Sequence, residues 1–151
     1  MMFLRDPSAY HGENNKRPFF EGWYHKLVTN DGRALAIIPG IYRSGFNNNQ
    51  TAFIMIFDGD KGDVFYERFE VQQFSCSTSS YSLHIGSNYF SSEKIILDIE
   101  SETLTLKGQV TADNLKPWPV TLFEPGCMGW YAYVPTMECF HGILSMDHAL
   151  D

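Results

Sequence analysis

Tyr81-Ser82-Leu83-His84-Ile85 alternates apolar and polar side chains with period two, and Gly86-Ser87-Asn88 follows it as a turn. Successive side chains point to opposite faces of a strand, so this pattern describes a strand with one buried face. The same grammar repeats outward in both directions. Downstream, Lys94 to Ile99 and Thr103 to Val110 read as a hairpin closed by Glu100-Ser101-Glu102. Upstream, Ser77 to Ser80 reads as a turn, Gln73 to Cys76 as strand, and Val64 to Val71 as a roughly alternating strand. Asp58-Gly59-Asp60-Lys61-Gly62-Asp63 is a strong turn. Thr51 to Phe57 is apolar almost throughout, the pattern of a strand buried on both faces.

Nearer the start, Phe19 to Val28 reads as the first strand, and Thr29-Asn30-Asp31-Gly32 as a hairpin turn that tolerates positive φ. Arg33 to Ile38 is a β-branched second strand stopped by Pro39-Gly40. Ser44 to Gln50 is a polar, Asn-rich loop. Leu115 to Pro125 carries Pro117, Pro119 and Pro125, which predicts a loop with little ladder pairing. Amphipathic helical periodicity is absent, and short strands recur at roughly 8–12-residue spacing. The expected fold is therefore all-β: a small antiparallel β-barrel or strongly curved sheet over residues 19–151, led by an irregular loop or lid over residues 1–18.

A chain of 151 residues fits one domain with a real core. The net charge of −7 argues against a nucleic-acid partner, which needs a basic face, and against charge-driven docking on an anionic membrane. The odd set Cys76, Cys127 and Cys139 reads as free thiols in a reducing compartment. Neither a leader pattern nor a run of about 20 apolar residues is visible. These features set the expectation of a soluble, cytoplasmic protein without an integral membrane segment.

The densest chemistry lies in Gly126 to His148, where four aromatics, two histidines and two carboxylates sit in an otherwise apolar segment. A strand-rich segment lining a cavity has this composition. Gly129-Trp130-Tyr131 also echoes Gly22-Trp23-Tyr24. The echo reads either as two equivalent strands presenting the same aromatics to one cavity, or as two similar strand starts with Trp filling core. Phosphate loops, nucleophile elbows, His-Glu-x-x-His and Cys-x-x-Cys are all absent. Cys127, Cys139, His141 and His148 fit no common zinc spacing, so no metal is expected.

What remains is a set of acids among aromatics: Glu21, Glu138 and Asp147. An acid in an apolar aromatic pocket has its pKa raised by desolvation and can donate a proton at neutral pH. Aromatic faces then stabilise a developing cation. If residues 139–148 form a strand, His141, Ser145 and Asp147 share one face. Bland alternatives stay open for each residue. Glu138 could point outward, Glu21 could pair with a buried Arg or backbone amides, Asp147 could cap a turn, and His141 could be a satisfied core histidine.

Three blocks resemble the tocopherol cyclase-like family. They are Phe19-Phe20-Glu21-Gly22-Trp23-Tyr24-His25-Lys26-Leu27, then Ala36-Ile37-Ile38-Pro39-Gly40-Ile41, then Gly129 through Pro135, Met137 through Gly142 and Ser145-Met146-Asp147-His148. Asn114-Leu115-Lys116-Pro117-Trp118-Pro119 is similar too. The resemblance implies a lipocalin-like barrel related to carotenoid hydratase-type proteins. It also implies proton-driven closure of a prenylated benzoquinol to a chromanol, an isomerase-type reaction without metal or organic cofactor. Family members are about twice as long, so the resemblance implies an amino-terminal half of a two-part β architecture. Such a half would expose an apolar edge at Ile143 to Met146, and would self-associate or pair with a carboxy-terminal half.

On this reading Asp147 is the expected proton donor, with His141 as its neighbour and Glu21 in reserve. Trp23, Tyr24, Trp130, Tyr131, Phe140 and Glu138 are the expected substrate-binding residues, and the expected partner is an apolar isoprenoid small molecule. The alternatives are a non-catalytic barrel that binds such a molecule, or a half that is inactive alone.

Overall fold

The structure is a computed structural model that describes residues 6–14, 18–44, 49–134 and 139–151. The described residues form two curved antiparallel sheets and no α-helix. The all-β expectation holds in its curved-sheet form, and the sheets do not close into a barrel.

The first sheet contains β1 (Phe19–Gly22), β2 (His25–Val28), β3 (Ala34–Arg43), β4 (Gln50–Asp58) and β5 (Val64–Phe69). Strands β3, β4 and β5 form a meander, and β1 and β2 lie end to end along the free side of β3. A one-turn 3-10 helix, Val71–Gln73, carries the chain across to the second sheet. That sheet is also a meander: β6 (Phe74–Cys76), β7 (Ser82–Ile85), β8 (Asn88–Ser91), β9 (Lys94–Glu100), β10 (Thr105–Asp113) and β11 (Ala149–Leu150).

The core follows from alternation. Ile37 and Ile41 of β3, Ile54 and Ile56 of β4, Leu83 and Ile85 of β7, Phe90 of β8, and Ile95, Leu97 and Ile99 of β9 are all buried in one cluster. On β9 the intervening Asp98 and Glu100 are exposed, as period two requires. The β7–β8 turn is locked by the fully buried Asn88. Its Nδ2 donates to the Ile85 carbonyl at 3.0 Å, and its Oδ1 accepts the Asp98 N–H at 2.9 Å. Satisfying both ends of the amide makes its burial tolerable.

Three strand expectations need correction. First, β3 does not stop at Pro39 but runs on to Arg43, paired with β4 along most of its length. Pro39 is tolerated because its polar edge faces the gap between β1 and β2. Its carbonyl accepts the Trp23 N–H at 3.0 Å from that side. In an antiparallel strand the N–H and C=O of one residue point the same way, so the donor that proline lacks costs the β3–β4 ladder nothing. Second, and for the same reason, residues 19–28 are two short strands broken at Trp23-Tyr24 rather than one. Third, β8 begins at Asn88, where a turn is expected, and runs through residues 89–91, for which no strand is expected.

Gly126 to His148 departs furthest from expectation. Gly129–Tyr133 is a short 3-10 helix, and residues 139–148 have no strand before β11. The face-sharing argument for His141, Ser145 and Asp147 therefore lapses. At the expected open edge, Ile143 to Met146, backbone groups pair with the proline-rich loop while the Met146 side chain stays 61% exposed. The Ile143 carbonyl accepts the Trp118 N–H at 3.3 Å, and the Met146 N–H donates to the Lys116 carbonyl at 2.9 Å. The two Gly-Trp-Tyr copies are not equivalent, since one ends a strand and the other lies in a 3-10 helix.

Among the described residues no helix is long and apolar enough to cross a membrane. All three thiols are free.

Candidate functional site

An open cleft of about 1510 Å³ lies between the β1–β2 edge and the segment from Cys139 to Leu150. Tyr81 and Ile95 of the second sheet also line it. Its volume exceeds what a drug-sized ligand needs. The β1–β2 wall owes its chemistry to period two. Glu21, Trp23 and His25 alternate onto the inner face, over about 13 Å of extended chain. Phe20, Tyr24 and Lys26 alternate to the other face and are exposed, meeting the cleft at its rim.

At one end of this wall stands Glu21, whose side chain is 16% exposed. Its Oε1 lies 2.9 Å from His11 Nδ1, and its Oε2 accepts the His11 N–H at 3.0 Å. This pair ties the leading segment to β1. Arg43 of β3 holds the same segment by donating from Nη1 to the Gly12 carbonyl at 2.5 Å, with its guanidinium 6.0 Å from the Tyr10 ring centroid. Tyr10 is buried among Phe19, Trp23 and Phe74. Burial raises the Tyr10 phenol's pKa above its ordinary value. Burial also pushes the Cys76 thiol up to about 12, with the negative charge of Glu21 adding to the shift.

Four residues further along stands a second polar pair. His25 Nε2 lies 2.5 Å from the Tyr81 hydroxyl. The pair sits inside an aromatic stack. Trp23 stacks on Tyr81 with centroids 5.4 Å apart, Tyr81 on His25 at 5.5 Å, and His25 on Phe90 at 5.9 Å. Burial, with His148 nearby, pushes His25 down to about 4. Burial likewise pushes Tyr81 well above the ordinary tyrosine value. Both side chains are uncharged at neutral pH.

Of the residues named from sequence, Glu21, Trp23, Tyr24, Phe140, His141 and Asp147 line this one cleft. Tyr24 does so from the rim, at 64% exposure, while Trp23 is buried. Trp130 and Tyr131 do not line it. They are exposed on the 3-10 helix and contact each other edge to face at 5.2 Å. Glu138 lies outside the described residues.

Asp147 is not a desolvated acid. It is exposed and paired with Lys116 Nζ at 2.5 Å, and the lysine's hydrogen bond and charge hold its carboxyl below the usual aspartate value. His141 takes other partners, with its N–H on Met128 Sδ at 3.1 Å and its Nδ1 3.7 Å from Cys139 Sγ. The expected Asp147–His141 partnership does not form.

Sequence reasoning missed His11, His25 and Tyr81. His25 was legible, because two steps of period two lead from Glu21 through Trp23 to it. Tyr81 heads the clearest alternating strand, yet its partner comes from the other sheet. His11 sits in a polar irregular segment with no pattern to mark it. Among the described residues no cluster of His, Cys, Asp and Glu could hold a metal.

The fold and cleft define a two-sheet β protein with an open, aromatic-walled cleft. No family model matches the chain, and neither the curated proteins nor the solved structures include a match to it.

Proposed function

We propose that this chain binds an apolar, isoprenoid-type small molecule in the cleft. We further propose that the His11–Glu21 pair supplies the proton for a tocopherol cyclase-like closure of a prenylated quinol. The observation that carries this reading is Glu21 itself, among the described residues the one carboxylate that lines the cleft with its side chain largely buried, held by His11 beside Phe19 and Trp23.

Glu21 Oε1 and His11 Nδ1 lie 2.9 Å apart, a distance over which a proton can pass between them. In the proposed reaction that proton adds to the trisubstituted alkene of the ligand and leaves a tertiary cation. The phenolic oxygen then attacks the cation, forming the ring C–O bond, and its own proton returns to the pair. Atoms balance, so the reaction is an isomerisation. Neighbouring aromatic faces favour the cationic stage. Reassigning the acid from Asp147 to Glu21 follows from the Lys116 pairing, which keeps Asp147 ionised.

The test is a titration with a geranylated hydroquinone, followed by tryptophan fluorescence, together with product analysis for the chromanol. Glu21→Gln is expected to slow ring closure by about 10²–10⁴-fold while changing affinity only a few-fold. Full turnover in Glu21→Gln would refute the proton role, and a flat titration would refute ligand binding. Saturable binding without product would establish the second reading, a non-catalytic binding protein. That reading is favoured by the exposed, lysine-paired state of Asp147.

A further inference from the structure

We infer that the Tyr81–His25 pair is the headgroup station of the cleft, selecting an uncharged, hydroxyl-bearing ligand such as a phenol or quinol over a carboxylate. This deepens the proposed function and rests on the cleft being an apolar small-molecule site.

Both residues line the cleft: the half-buried His25 gives the approach from it, while Tyr81 is buried at 4% exposure and meets the cleft beside His25. The Tyr81 hydroxyl is one donor with two acceptor sites. Its contact with His25 Nε2 at 2.5 Å uses one of these. An acceptor site on the phenolic oxygen therefore remains for a ligand O–H. Trp23 on one side and Phe90 on the other fix both rings, so little side-chain freedom is lost when a ligand docks.

The environment also decides charge. Burial holds His25 and Tyr81 in their neutral forms. A neutral pair among aromatic rings offers a carboxylate no countercharge for the water it gives up. The cleft does contain rivals: Lys26 and Lys94 also line it and would favour an anion. The neutral pair takes the headgroup because Glu21, Trp23 and His25 share one face, whereas Lys26 alternates to the other. A quinol ring anchored by one hydroxyl on Tyr81 then carries its prenyl-bearing side toward Trp23 and Glu21.

The experiment compares three probes by calorimetric titration: a geranylated hydroquinone, its dimethyl ether, and a fatty acid of matched length. The wild-type chain is expected to bind the hydroquinone about tenfold more tightly than the ether, the size of one hydrogen bond. Tyr81→Phe keeps the stacked ring and removes the hydroxyl. It is expected to shrink that preference to about twofold or less and leave ether binding unchanged. His25→Leu, which removes the partner that orients the hydroxyl, is expected to reduce the preference as well and provides a second readout if Tyr81→Phe does not fold. Retention of the full preference in either folded variant overturns the inference. So does equal wild-type affinity for hydroquinone and ether, or tighter binding of the fatty acid. Those results leave cleft binding standing. Failure of all three probes to bind the wild type overturns the inference and the proposed function together.

Discussion

Between about pH 7 and about pH 5, acid should destabilise this protein through the buried His25. The imidazole's pKa is lowered from its ordinary 6.5 to about 4, first by burial and then by His148. The folded state thus resists a proton that the unfolded chain accepts. Above pH 6.5 neither state is protonated there, and the residue contributes no pH dependence. As pH falls through 6.5 the unfolded chain gains the proton while the fold does not, so stability drops. The loss is complete only below about 4, where both states are charged.

The full shift corresponds to about 3 kcal/mol, and at about pH 5 roughly 2 kcal/mol is already lost. His25→Gln removes the ionisable group and keeps a hydrogen-bonding side chain beside Tyr81. Urea unfolding followed by tryptophan fluorescence at about pH 7 and about pH 5, for both proteins, isolates the effect as a double difference. Contributions from the exposed carboxylates Asp31, Asp58 and Asp147 are common to both proteins and cancel. The wild type should lose about 2 kcal/mol more than the variant over this interval. Equal losses would refute the claim that His25 is held neutral by its surroundings.

Two further outcomes are expected. Asp147→Asn should leave both the urea midpoint and quinol affinity unchanged within error, because an exposed pair with Lys116 contributes little. A fall of more than about tenfold in ring closure would instead restore Asp147 as the acid. Gly40→Ala should destabilise by about 1–3 kcal/mol, measured by urea unfolding. A Cβ there would stand 2.8 Å from the Glu21 carbonyl oxygen and 2.5 Å from Phe53 Cζ, so β1 must move off β3 and carry Glu21 with it. A neutral result would show that β1 shifts freely.

The fold was legible wherever pattern and turn chemistry agreed. The turns at Thr29 to Gly32 and Asp58 to Asp63 and the β9–β10 hairpin all fall where read, since alternation and φ-tolerant residues are local signals. Gly126 to His148 misled because its aromatics and β-branched residues suggest strand, while tertiary contacts decide. Its backbone bonds to the loop of Lys116 and Trp118, a partner with no periodicity to read. The site was half legible for the same reason. Glu21 and Trp23 stand in one strand pattern. The partners that define their chemistry come from elsewhere: His11 from the patternless segment ten residues upstream, and Tyr81 from the residue before β7 of the other sheet. Asp147 failed as a desolvated acid because Lys116, 31 residues away in sequence, meets it.

The break between β1 and β2 joins these threads. A continuous β1–β2 strand would require an N–H from the β3 residue opposite it, and Pro39 has none. The chain therefore interrupts its ladder at Trp23-Tyr24, with only the Trp23 N–H on the Pro39 carbonyl bridging the gap. Period two nevertheless carries across the gap. Glu21 before it and His25 after it both point inward, with the buried Trp23 between them. Local rules are broken here: a proline stands inside a ten-residue strand, and a histidine is buried in neutral form. Violations of this kind cluster where a fold trades regularity for function. If the break creates the site, replacing Pro39 with a residue that restores the N–H, as in Pro39→Val, should favour a continuous ladder. It should raise the urea midpoint or leave it unchanged while weakening quinol binding. A variant that gains the ladder and binds as before would separate the break from the site.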